Sequence, residues 1–170
     1  AGRPVDPPPD LAAVARPGDP GVLLSVNVGR LEAGSFIGQI ATSASAEVDL
    51  RLPPGLPADE AEQLVRDLLA DLPGTTVGRL KGWDANGTAV DHPFVRRFAA
   101  VATELRRAGP EYAVRLPASD ASRWRAEGVP AICYGPQPTL SAGLDDHAEE
   151  QEVLDCGVLY AATALSYLSA

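Results

Sequence analysis

The chain is poor in the residues that would make its chemistry obvious. Among 170 residues there are two cysteines, two histidines and a single lysine, Lys81, and aromatic residues make up 5%. The cysteines, Cys133 and Cys156, fall in separate predicted elements with no C-x-x-C spacing, which excludes a disulfide framework and a thiolate zinc site and fits a reducing compartment. No apolar run reaches the ~18 residues that span a bilayer, and no basic stretch leads into an apolar one as in an export signal. The expected location is therefore cytoplasmic, with no membrane partner. Positive charge is also short: the formal net charge is -9, which repels phosphate backbones and argues against nucleic acid as a partner. No P-loop, G-x-G-x-x-G or Ser-His-Asp spacing occurs.

What is present is an ordinary globular composition, 45% apolar and 22% charged, in a chain long enough to bury about two-thirds of its unfolded surface. Scarcity of lysine beside abundant arginine points to a GC-rich bacterial source. The chain begins at Ala1 rather than a methionine, which raises the expectation of an upstream segment.

Residues 1–21 are rich in proline and glycine and read as a linker or remnant. Strand-period alternation then runs through Val22, Leu24, Val26 and Val28, and again through Ala44, Ala46, Val48 and Leu50, the two strands joined by a glycine-rich loop. From Pro57 to Leu72 the apolar residues Ala61, Leu64, Val65, Leu68, Leu69 and Leu72 form one helical stripe, bracketed by Pro57 and Pro73-Gly74. Thr75 to Lys81 reads as a further strand. The order strand, strand, helix, strand suggests most of a ferredoxin-like unit lacking its first strand.

A second style of sequence follows the polar stretch Asp84 to Asp91. Helices are expected over Pro93 to Arg107, Ala121 to Glu127 and Gln151 to Leu168, with short strands at Tyr112 to Val114 and Val129 to Tyr134. The last of these is an unalternating apolar run, as in a strand buried on both faces of a parallel sheet. Strands alternating with helices imply a piece of a doubly wound α/β layer.

The loop after Val129 to Tyr134 lies where open α/β sheets bind ligands. It carries Gly135 and Pro136 and ends in Asp145, Asp146, His147, Glu149 and Glu150, oxygen and imidazole donors that zinc accepts but that also suit a solvated helix start. Asp120 is expected to cap the helix it precedes. Arg51, at a strand end, is able to fork onto a carboxylate or to remain plain surface. Trp83 and Trp124 read as packing residues, and His92 as exposed.

Taken in order, these segments resemble the C-terminal half of the M20 family of metallopeptidases, which includes acetylornithine deacetylase, succinyl-diaminopimelate desuccinylase and the aminoacylases. Ala1-Gly-Arg-Pro4 resembles the stretch after that family's lid histidine, and Leu24 to Gly34 its lid strand and glycine turn. Ala46-Glu-Val-Asp-Leu-Arg51 is similar to the family's strand ending in arginine. Ala118-Ser-Asp-Ala121 with Gly128 to Pro136 is similar to its "sDa…GiPai.yGPg" segment.

The resemblance implies a mixed α/β (α+β) fold. Residues 22–82 would form a ferredoxin-like lid that mediates dimerisation, and 91–170 the closing part of a doubly wound, zinc-peptidase-like catalytic domain. It implies zinc-dependent cleavage of the amide of an N-acyl amino acid or dipeptide, by a homodimer or a complex with an N-terminal half. Arg51, Gly135 and Pro136 would hold the substrate carboxylate, and Asp145 or His147 would offer the last metal ligand. The family's H-x-D motif, bridging aspartate and Glu-Glu pair have no counterpart in these residues. The lid asparagine is replaced by Gly38, and the usual last ligand position falls on Gly143 or Asp145. The alternative is therefore a metal-free homologue that serves as a dimerisation or binding protein, or that catalyses a zinc-independent reaction.

Overall fold

The computed structural model describes residues 5–12, 14–15, 19–115, 119–136 and 145–169. The protein is mixed α/β, with one two-stranded antiparallel sheet among the described residues. Elements follow in the order α1 (Pro9–Ala12), a short 3-10 turn (Pro20–Val22), β1 (Ser25–Ala33), β2 (Ala44–Arg51), α2 (Ala58–Leu68), α3 (Pro93–Arg106), α4 (Ala121–Ala126) and α5 (Glu150–Leu168). No helix is long and apolar enough to cross a membrane among the described residues. The chain divides into two compact units, one drawn from Ala1–Ala85 with Ala113–Pro117 and the other from Asn86–Tyr112 with Ala118–Ala170.

In the first unit, β1 and β2 pair as a hairpin with a register break between Val28 and Arg30. The break is a bulge that absorbs Gly29. Before it Val26 and Val28 oppose Leu50 and Val48; after it Leu31 and Ala33 oppose Ala46 and Ala44. The apolar positions of β1 change from even to odd numbers at the glycine, and the bulge keeps them all on one face. The opposite face is polar and laced by ion pairs of Arg30 with Glu32 and Glu47 and of Arg51 with Asp49. The apolar face is bare: Val26 is 62% exposed and Leu31 71%.

The interior of this unit lies elsewhere, among Leu11, Val22, Leu56 and Ala61 with Pro53 and Pro54. Gly21 is a close-approach position. A Cβ there would lie 2.1 Å from the Val114 carbonyl oxygen, so only glycine lets the 113–115 segment lie against it. Helix α2 is capped by the Asp84 side chain, which accepts from the Ala58 N–H at 2.8 Å. It is shorter than its stripe predicts, loosening into turns from Leu69 before Gly74, whose φ of +79° ends the segment. Its stripe is covered only at the start, with Ala61 buried and Leu68 81% exposed.

The second unit has a packed helical core. Helices α3 and α5 meet through Phe98, Val101, Ala102 and Leu159, and Ile132, Tyr134 and Ala162 pack around them. Phe98 meets Tyr134 edge to face at 4.9 Å between centroids, and Phe94 meets Tyr167 at 5.4 Å. Pro93 opens α3 at a position that needs no N–H, and His92 caps it: Nδ1 accepts from the Phe94 N–H at 3.1 Å. The expectation of an exposed His92 is corrected on this point, since the ring is half-buried by its capping bond.

The predicted helices form within a few residues of their expected limits. Residues 75–81, 112–114 and 129–134, by contrast, pair in no ladder among the described residues. A helix closes its hydrogen bonds within itself, whereas a strand needs a neighbour.

Candidate functional site

The run Val129 to Pro136 is positioned from its N-terminal side by α4. That helix ends in a double turn: the Val129 N–H donates to the Trp124 carbonyl at 2.9 Å and the Gly128 N–H to that of Arg125 at 3.0 Å. Gly128, at φ +76°, supplies the left-handed residue this ending requires. Where a sheet neighbour would stand, Ala131 is met by one side chain on both of its backbone groups. The Thr88 hydroxyl donates to the Ala131 carbonyl at 2.8 Å and accepts from its N–H at 3.0 Å.

Arg125 reinforces this arrangement, donating from Nη1 to the same carbonyl at 2.9 Å and from Nε to Asn86 Oδ1 at 2.7 Å. Asn86 in turn donates to the Ser122 carbonyl at 2.9 Å. The side chains of Ile132 and Tyr134 pack on the α3–α5 core, while Val129 and Cys133 remain exposed. The run is thus held like a strand, one face covered, without a strand beside it among the described residues.

At its far end the Tyr160 hydroxyl of α5 donates to the Tyr134 carbonyl. Burial, with neighbouring Cys156 next, raises the Tyr160 phenol above its ordinary value of 10.0. Arg106 lies over the Tyr134 ring at 5.5 Å and donates to Cys156 Sγ at 3.5 Å. Gly135 and Pro136 follow, both half-buried, with Gly135 close to the Tyr160 hydroxyl.

The other residues singled out in the sequence are distributed as follows. Asp145 and His147 are both exposed and lie together: His147 Nδ1 meets the Asp145 carbonyl oxygen, which leaves Nε2 and the Asp145 carboxylate as the two available donors. A catalytic zinc site takes three protein ligands, and among the described residues no group of three His, Cys, Asp or Glu is arranged to hold a metal. This pair alone does not fit zinc. Gly143 lies outside the described residues. Arg51 belongs to the first unit, where its guanidinium pairs with Asp49 at 2.7 Å on the polar face of the hairpin; Gly135, Pro136, Asp145 and His147 belong to the second.

Two expectations are corrected. Asp120 does not cap α4 with its side chain; its backbone is already helical and the carboxylate points to Arg123 at 3.8 Å. Trp83 and Trp124 are not interior packing residues, being 64% and 60% exposed. The polar network of Asn86, Thr88 and Arg125 escaped the sequence reading. Its only trace is a set of hydrogen-bonding residues in a stretch that otherwise reads as loop. Both cysteines are free thiols, Cys133 exposed and Cys156 buried.

No protein-family model, no curated protein and no solved structure matches this chain.

Proposed function

We propose that this chain is the lid and closing α/β segment of an M20-type zinc-dependent hydrolase that cleaves the amide bond of N-acyl amino acids or dipeptides, working as a fragment or subunit beside a part that completes its sheet. One observation carries the reading. Val129 to Tyr134 is an extended apolar run packed on a helical core through Ile132 and Tyr134, with Thr88 standing in for a ladder at Ala131. Such a run is what remains of a parallel-sheet strand when its neighbours belong to another segment. It leads into Gly135-Pro136, at the strand end where α/β proteins hold ligands, with Asp145 and His147 further along the chain.

In this reading β1, β2 and α2 are the lid, ferredoxin-like and dimer-forming. Arg51 and the Gly135-Pro136 turn hold the substrate carboxylate. Asp145 and His147 supply at most part of a metal site, and the remaining ligands and the general base belong to the completing part.

A second reading, a metal-free homologue that dimerises or binds without hydrolysing, is favoured by Gly38 in place of the lid asparagine and by a donor pair too small for zinc. Intact-mass and elemental analysis of the natively purified protein separates the two. A second copurifying polypeptide with bound zinc, followed by release of amino acid from N-acyl substrates, upholds the hydrolase. A metal-free preparation that takes up no zinc on titration abandons it in favour of the second reading.

A further inference from the structure

Helix α5 is apolar on both of its sides. Cys156, Leu159 and Thr163 are buried on the side toward α3. Leu154, Val158 and Leu165, on the opposite side by helical spacing, are 56%, 59% and 72% exposed. From Cys156 to Leu168 there is no Asp, Glu, Lys or Arg. A helix in an α/β layer turns a polar side to water, and one that is apolar all round is covered all round. The net charge of -9 repels a second copy of the chain over most of the surface. This side of α5 is neutral.

Gly157 lies in the middle of the bare side. A glycine inside a helix weakens it relative to any ordinary residue, and a Cβ here would meet nothing within 4 Å. Packing within the single chain therefore gives no reason for glycine at this position. A second helix crossing at this point does, because two backbones draw close only where the side chains between them are small. Ala161, exposed and one turn further on, extends the small surface, and Leu154 projects one turn before it.

The two ends of the stripe carry opposite charge. Glu150 stands on it one turn before Leu154 and is exposed. Helix α3 runs antiparallel to α5, with Phe94 against Tyr167 and Arg106 against Cys156. That alignment sets Arg96 and Arg97 level with Leu165, at the other end of the stripe. Both arginines are exposed, and neither makes an ion pair among the described residues.

We propose that α5 is a homodimer interface, two copies crossing antiparallel about a two-fold axis at Gly157. Each Leu154 then seats on the other copy's Ala161, and each Glu150 reaches Arg96 or Arg97 of the other copy. The contact is isologous, large against small and acid against base at both ends. The paired stretch from Glu150 to Leu165 is about 22 Å long, which places the contact among small interfaces, with a dissociation constant of about 1–100 µM. This surface is separate from the hairpin that the hydrolase reading makes dimer-forming, and the proposal does not depend on that reading.

Sedimentation velocity of the full chain over about 1–500 µM tests it. A reversible monomer–dimer equilibrium is expected. Gly157→Leu should weaken the dimer at least about ten-fold while the dilute monomer melts no lower, since the lone helix gains from losing its glycine. Glu150→Arg should weaken the dimer, and adding Arg96→Glu with Arg97→Glu to the same chain should restore it; that reversal decides the matter should Gly157→Leu fail to fold. In a Cys133→Ser background, Leu154→Cys and Ala161→Cys chains mixed and oxidised should cross-link to each other. A monomer at all concentrations, a dimer indifferent to Gly157→Leu and to the charge reversal, or a dimer abolished by Leu31→Glu on the hairpin overturns the proposal. So does a different copurifying polypeptide that Gly157→Leu releases, which would give this face of α5 to another chain.

Discussion

The two units solve the problem of burying apolar surface to different degrees. The second sets two helices against each other, so that Phe98, Ala102 and Leu159 are almost fully enclosed and a strand-like run is covered on one side. The first sorts its residues into an apolar and a polar face, yet leaves Val26, Val28 and Leu31 of the hairpin and Leu68 of α2 open to water, as α5 of the second leaves Leu154, Val158 and Leu165 on its outer side. Sidedness and burial are therefore separable. A sequence writes the first into every element, but the second requires a surface for the face to meet, and the hairpin has none among the described residues.

The largest expected effect tests this contrast directly. Phe98→Ala should cost about 3–5 kcal/mol in urea unfolding, the loss typical of a buried ring. Val28→Thr on the hairpin should stay within about 0.5 kcal/mol, as for an exposed position. A comparable loss at Val28 would show that the hairpin face is covered in solution. Next comes Thr88→Val, which removes the acceptor of the Ala131 N–H and one of the two side-chain donors to its carbonyl, and should cost about 1–3 kcal/mol, with faster amide exchange at Ala131.

A smaller effect is expected at alkaline pH. Because the Tyr160 phenol is raised in the folded protein, its contribution is intact below the ordinary value of 10.0 and is lost as pH climbs through the raised value. Tyr160→Phe should flatten that part of the stability profile. The smallest effect is at Arg107, which ends α3 in the left-handed region at φ 57°. Arg107→Gly should raise thermal stability slightly, by no more than about 1 kcal/mol, since glycine adopts that conformation without a Cβ penalty.

The helices and their ends were legible because their signals are local: a stripe at helical spacing, Pro93 at a first turn, Gly128 just past α4. The hairpin strands were legible from their alternation. The bulge was not singled out, although the change of phase between Val28 and Leu31 is written in the residues. Segments 75–81, 112–114 and 129–134 have strand-like composition, and composition does not say whether a neighbour exists. At the candidate site, Asp145 and His147 meet because they are two residues apart. Asn86 and Arg125 meet across 39 residues, and no spacing rule relates them. Asp120 looked like a cap because its residue type is right for one, but its backbone had already turned helical.

The contact between Gly21 and Val114 bears on the order in which the molecule is made. The first unit is discontinuous in the chain: its 113–115 strap is synthesised only after the whole of α3, which belongs to the other unit. During translation α3 therefore leaves the ribosome before the first unit has its final piece, and well before α5 exists to cover Phe98. For that interval the growing chain carries an unclosed first unit and an apolar helix face together, the state in which a nascent polypeptide most needs a chaperone.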